Sequence, residues 1–177
     1  MKIIEEILPD CFVIEPNVFK DARGSFIKTF NDEAFSKLNI SFEMKEEFYS
    51  ISKKNVVRGM HFQIPPFDHD KIVFCMNGCV HDVLLDLRKG PNYGKFVGLD
   101  LSDKNNKIVV IPRGIAHGFV SRTDDSVMLY KTSTVHSPEY DRGIHWNSFE
   151  YDWNLEGSIV SKRDSAHIDF ENFESPF

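Results

Sequence analysis

From Ile72 to Tyr130 the chain is a succession of short apolar runs, each cut off by a turn signal, and nothing else in it constrains the fold as strongly. The runs are Ile72-Val73-Phe74-Cys75, Val80-His81-Asp82-Val83-Leu84-Leu85, Phe96-Val97-Gly98-Leu99, Ile108-Val109-Val110-Ile111, Gly118-Phe119-Val120 and Val127-Met128-Leu129-Tyr130. Between them stand Asn77-Gly78, Gly90-Pro91-Asn92, Asp103-Lys104-Asn105-Asn106, Pro112-Arg113-Gly114 and Thr123-Asp124-Asp125. Such runs are too short for buried helices, and their turns suit strands that reverse direction. The pattern predicts an all-β, antiparallel jelly roll. Asn77-Gly78 is the pair preferred in a type I′ hairpin, so it predicts direct pairing of the runs on either side. Upstream, Cys11-Phe12-Val13-Ile14 and Phe26-Ile27-Lys28-Thr29-Phe30 read as strands. Asn31 caps a short helix with Phe35 and Leu38 on one face. The tail after Trp146 is mixed, with a turn and a short helix folding back.

The chain's 177 residues predict one domain, 1–177, and 16 phenylalanines supply bulky core filling. No apolar run is long enough for a membrane helix, and acids at Glu5 and Glu6 stand where a signal peptide needs an apolar block. A cytoplasmic protein is the expectation. The 3 cysteines, Cys11, Cys75 and Cys79, are too few for a disulfide framework and read as buried thiols. A net charge of −6 argues against nucleic acid or an anionic membrane as partner, yet leaves room for an anionic small ligand held by local arginines.

The chemistry concentrates in Asn55-Val56-Val57-Arg58-Gly59-Met60-His61-Phe62-Gln63. Strict strand alternation puts Arg58 and His61 on opposite faces. A bulge at Gly59 would bring both to one cavity, a cation for an anion and an imidazole for a proton. Jelly rolls that hold a metal use two closely spaced histidines, an acid and a later histidine. Here Pro112-Arg113-Gly114-Ile115-Ala116-His117 shapes the later element. His61, however, has no histidine two residues on, and Lys71 places a cation where the acid is wanted. The spacing therefore predicts no metal. What remains is metal-free acid–base chemistry, with His61, Lys71, Asp82, His117, Tyr130, His136 and Asp164 as polar candidates and Arg23, Arg58 and Arg163 as anion holders. Singly, each is more often structural; together they are more than a soluble surface needs.

Phe19-x-Asp21-x-Arg23-Gly24-x-Phe26, the central stretch, Lys71, Gly78-x-x-x-Asp82-Val83, Asp86-x-Arg88-Lys89-Gly90 and Ile111-Pro112-x-Gly114-x-Ala116-His117-Gly118-Phe119 resemble the dTDP-4-dehydrorhamnose 3,5-epimerase family. So do Tyr130-Lys131, Trp146-Asn147 and Ser161-x-x-Asp164, in unbroken order over nearly the whole chain. The resemblance implies a cupin-like jelly roll and a cofactor-free isomerase. It would act on a nucleotide-diphosphate-linked 4-keto-6-deoxyhexose in deoxysugar biosynthesis for surface polysaccharide. His61 is then the base that takes a hydrogen beside the C4 ketone, Asp164 orients it, and Lys71 meets the charge on the C4 oxygen. Arg23, Arg58 and Arg163 hold the diphosphate. Phe26, Gln63, Asp82 and His117 line the substrate cavity. The resemblance also implies a homodimer with exchanged N-terminal strands.

The sequence departs from the family's pattern in two places. Six residues after Tyr130 the family has a tyrosine acid, and here stands His136. A protonated His136 replaces the phenol, or Tyr130 or a water delivers the proton, or only one of C3 and C5 is inverted. Among the nucleobase contacts, Lys28 replaces an acid, and Glu46 and Phe48 replace a glutamine and an asparagine. Glutamate only accepts and lysine only donates, a pattern suited to CDP or GDP as well as to dTDP. A sugar 3,4-ketoisomerase and a non-catalytic sugar-nucleotide-binding protein are the competing readings.

Overall fold

The computed structural model describes residues 1–177. Its strands are β1 (Lys2–Leu8), β2 (Cys11–Glu15), β3 (Val18–Asp21), β4 (Gly24–Ile27), β5 (Glu46–Ser52), β6 (Val57–Gln63), β7 (Lys71–Asn77), β8 (Cys79–Asp86), β9 (Phe96–Ser102), β10 (Ile108–Ile111), β11 (Ile115–Ser121), β12 (Ser126–Thr132) and β13 (Asp141–Gly143). A six-stranded sheet runs β1-β2-β10-β7-β12-β5, and a five-stranded sheet runs β13-β6-β11-β8-β9, every pair antiparallel. The strands β3 and β4 form a separate two-stranded ribbon. This is the expected all-β jelly roll. The short helix α1 (Asp32–Ser36) also forms as read, with the Asn31 side chain accepting from the Ala34 N–H.

Asn77-Gly78 does not make the expected hairpin. β7 pairs with β10 and β12 in one sheet, while β8 pairs with β11 and β9 in the other. Only Gly78 of the pair takes a positive φ, 78°, whereas a type I′ turn needs it at both central residues. The dipeptide is a corner where the chain changes sheets. Burial explains the preference, since Ile72–Cys75 and Val83–Asp86 are continuously buried. Runs apolar on both faces are stabilised more in the middle of two stacked sheets than in a two-stranded hairpin.

The core between the sheets holds Val73, Cys75, Leu84, Val109, Phe119 and Met128. The outer face of the five-stranded sheet is covered by the tail, through Trp146, Phe149, Tyr151, Trp153, Phe170, Phe173 and Phe177. That tail includes two 3₁₀ turns, Asp164–Ala166 and Phe170–Asn172, in place of the expected short helix. Packing the tail here is what delivers Asp164 to the edge of β6. Cys11 and Cys75 are buried, Cys79 is half-buried, and all three are free thiols. No helix is long and apolar enough to cross a membrane.

Candidate active site

The bulge decides where the site forms. Along β6 and β11 the register steps from His61↔His117 to Arg58↔Phe119, three residues on β6 against two on β11. The extra residue falls at Gly59-Met60 and turns Arg58 and His61 toward the same side. Gly59 has φ +142°, and a Cβ on it would lie 2.5 Å from Gly118 Cα, so only glycine permits this close crossing. Arg58 and His61 both line a cavity of about 440 Å³ between the two sheets. That is within the usual size range of a ligand pocket.

His61 and its partner form on this bulge. Ser161 Oγ accepts the Asp164 N–H at 3.0 Å and starts the turn that carries the carboxylate inward. One carboxylate oxygen then accepts from His61 Nε2 at 2.9 Å, and the other from the Gly59 N–H at 3.2 Å. Burial pushes the Asp164 carboxyl up, but these bonds and the neighbouring imidazole outweigh it and hold the group down at about 2. An ionised carboxylate only accepts, so Nε2 carries a hydrogen, and in the neutral tautomer it is Nδ1 that holds the lone pair. Nδ1 makes no hydrogen bond within the chain, and His61 is the half-buried member of the pair. The dyad expected from the resemblance is assembled.

Across the cavity the six-stranded sheet supplies Lys71, Tyr130, Thr132, Glu46, Phe48 and Ser50. Lys71 Nζ donates to the His61 carbonyl at 3.1 Å, which ties the amine to β6 across the cavity. Burial lowers this amine from 10.5 to about 8, against the opposing pull of Asp141 and Asp82. The Tyr130 ring stacks on Phe48 at 4.8 Å and meets His117 edge-on at 6.0 Å. Its hydroxyl lies 3.2 Å from Ser50 Oγ. Burial pushes the Tyr130 hydroxyl well above the usual phenol range, so it is fully protonated at neutral pH. His61 and Tyr130 thus face the same space from different sheets.

Other expected residues take different places. Asp82 does not line the cavity: it is fully buried behind His117 and accepts from His117 Nε2 at 2.8 Å. It positions that histidine instead of touching a ligand. Gln63 lines the cavity, but its amide is already engaged, accepting the Ser137 N–H at 2.6 Å and donating to the Phe67 carbonyl at 2.8 Å. It fixes the loop that carries His136. His136 itself sits at the rim, more than half exposed, with Nε2 3.1 Å from Asp141 Oδ2. Arg163 donates to the same carboxylate oxygen at 2.6 Å. Glu46 lines the cavity and accepts the His136 N–H at 2.6 Å. Arg58 is held by Ser52 Oγ at 3.0 Å and by the Ile51 carbonyl at 3.2 Å.

Arg23 and Phe26 are not brought to this cavity within the chain. They line a second hollow on the β3–β4 ribbon, where Phe26 is 63% exposed, and Lys28 follows the ribbon's last strand. The two-stranded ribbon has no sheet to pack on, which is why its aromatic side chains stand in solvent.

Three residues went unread as site members. His69 lines the cavity, and burial with the Lys71 charge lowers it to about 2, so it is neutral. Asp141 ties His136 to Arg163. His167 stands edge-on to His61 with ring centroids 5.5 Å apart. None of the three left a distinguishing signal in the sequence.

The sequence profile of the dTDP-4-dehydrorhamnose 3,5-epimerase family matches residues 5–172. The chain belongs to this family. An Escherichia coli dTDP-4-dehydrorhamnose 3,5-epimerase is 40% identical over 169 residues, covering 93% of this chain and 91% of that protein. Among solved structures, the Bacillus anthracis epimerase with TDP and PPi bound superposes with a TM-score of 0.93 at 30% identity, covering 95% of this chain and 98% of that one. The Legionella pneumophila enzyme in complex with dTDP-4-keto-L-rhamnose gives 0.92 at 30% identity, covering 98% and 94%. The fold and the family expected from the motifs are both those found.

Proposed function

We propose that this chain, acting as one domain, epimerises a dTDP-linked 4-keto-6-deoxyhexose at the carbons flanking its ketone. The observation that carries the reading is the pairing of a carboxylate-oriented imidazole and a protonated phenol on facing walls of one cavity. The C4 carbonyl acidifies the hydrogens at C3 and C5. His61 Nδ1 takes one of them, and the carbon's electron pair moves into an enolate whose oxygen is met by the Lys71 ammonium. Tyr130 then gives its hydrogen to the opposite face of the carbon, which inverts the centre. The phenol recovers a proton, and His61 loses one, through the solvent at the open mouth.

Tyr130 suits the acid's role better than His136. It is buried, neutral and directed at the cavity, whereas His136 lies at the rim with Asp141 as its partner. In this reading Arg58 and Arg163 hold the diphosphate as bidentate donors, and His117 bonds a sugar hydroxyl. Because Glu46 and Phe48 already serve His136 and Tyr130, dTDP fits as the nucleotide without a role for an altered base pattern. The chain works as a homodimer in this reading, each ribbon lending Arg23, Phe26 and Lys28 to the partner's cavity. The exposed Phe19 and Phe26 support that arrangement.

The test is exchange of substrate hydrogens with deuterated water, followed by NMR for the position and configuration of the label. Wild type should incorporate deuterium at both C3 and C5 and invert both. His61→Ala and Asp164→Ala should abolish incorporation. Undiminished exchange in either variant removes the dyad from the reaction, and migration of the ketone points to an isomerase instead.

A further inference from the structure

The dyad is complete without His167, yet the chain builds a place for that ring. The register of β13 on β6 sets Gly143 opposite His61. The His167 imidazole lies against Gly143, where any Cβ would overlap it. The following residue is docked by the Ile144–Ile168 bridge, with the His145 N–H donating to the Ile168 carbonyl at 2.7 Å. Nδ1 of His167 is buried without a hydrogen-bond partner, an arrangement that ordinarily destabilises a folded chain. One donor atom each from His61, Asp164 and His167 lies within 4.8 Å of the others.

We propose that these three side chains form a zinc site whose occupation switches off the base. Two imidazole nitrogens and one carboxylate oxygen suit zinc rather than magnesium or calcium, which take oxygen donors. Three protein ligands leave the fourth tetrahedral position to water. Donors around zinc lie roughly 3.4 Å apart, given bond lengths of about 2.0–2.2 Å. The His61–Asp164 pair is already at 2.9 Å, so rotation of the half-buried His167 ring supplies most of the adjustment. Coordination through His61 Nε2 moves the ring's hydrogen to Nδ1. No proton is gained or lost by that step, but the lone pair that would take the substrate's hydrogen is gone. The Arg163 charge nearby is offset by its bond to Asp141.

The consequence for turnover rests on His61 being the base, whereas binding does not, and calorimetry separates the two. Chelator-stripped protein titrated with zinc chloride should bind one equivalent per chain and lose epimerase activity in proportion, with both effects reversed by chelator. Magnesium at equal concentration should do neither. His167→Ala and the size-matched His167→Gln should bind zinc at least about tenfold more weakly, and whatever turnover each retains should resist inhibition by zinc. Equal zinc affinity in the variants and wild type would put the ion elsewhere and overturn the proposal, as would wild type that binds no zinc. Zinc binding lost with His167 in a chain that turns over no keto sugar would keep the site and sink the epimerase reading.

Discussion

Lys71 makes the most exacting prediction, because the proposed reaction calls on its charge while its burial works against that charge. The amine falls from 10.5 to about 8, driven by desolvation and resisted by Asp141 and Asp82. With a value of about 8, roughly nine-tenths of the chains carry the ammonium at pH 7 and roughly one-tenth at pH 9. If only the ammonium stabilises the enolate, kcat/KM should fall about tenfold over that interval. No other cavity group explains such a limb. The Tyr130 hydroxyl is pushed far above it, and the terminal amine is remote, bonded to Asn17 Oδ1. Unfolding does not explain it either. A base whose folded value lies below its unfolded one is protonated in more unfolded than folded molecules between the two, so stability rises from pH 8 to about 10.5. The assay is deuterium incorporation at constant ionic strength, corrected for the uncatalysed rate. Lys71→Met should lose about 10²–10³-fold in kcat, the worth of one well-placed donor, and show no limb. Lys71→Arg, weaker than wild type but always charged, should also be flat across the range. A wild-type profile level to pH 10, or a limb that survives in Lys71→Arg, refutes the assignment.

Three further outcomes follow from the same geometry. Tyr130→Phe should still exchange hydrogen from the His61 side yet form little inverted product, while His136→Asn should invert normally; the opposite pattern would move the acid to the rim. Gly59→Ala should lower stability by about 3 kcal/mol or more in denaturant melts, since its Cβ would meet Gly118 backbone at 2.5 Å from a left-handed φ. An unchanged midpoint would show that the crossing relaxes. Asp164, held at about 2 from 3.8, contributes about 2 kcal/mol that is present above pH 4 and lost as pH falls toward 2. Asp164→Asn should therefore be less stable than wild type at pH 6 and close to it at pH 2, and a constant gap between the two would contradict the linkage.

Much of the fold was legible because the strand runs are short, apolar and separated by turn residues. The corner at Asn77-Gly78 was not, because local turn preference cannot tell a hairpin from a crossing between sheets. That choice is made by the burial of both flanking runs on both faces. The bulge at Gly59 was one of two readings, because alternation and a glycine between Arg58 and His61 point opposite ways, and the register of β6 on β11 decides between them. Asp82 and Gln63 have the composition of ligand contacts, but their partners lie far along the chain, at His117 and Ser137, and spacing carries no trace of them. His167 was missed because a histidine three residues from an aspartate is unremarkable until Gly143 is seen to make room for it.

The chemistry of inversion explains why this architecture suits the site. Taking a hydrogen from one face of a carbon and returning one to the other requires two groups that cannot belong to one strand or one face of one sheet. Here β6 carries His61 on the five-stranded sheet and β12 carries Tyr130 on the six-stranded sheet. The separation of the two groups is therefore set by sheet packing rather than by a flexible loop. Each is further fixed from its own side, His61 by Asp164 from the tail and Tyr130 by Phe48 and Ser50 from β5. Lys71 extends the same logic, reaching from β7 on the six-stranded sheet to the carbonyl of His61 on the other. One side chain thus ties the two walls of the cavity together. A loss of sheet spacing should consequently cost inversion before it costs binding, because the arginines that hold the anion need no opposing partner.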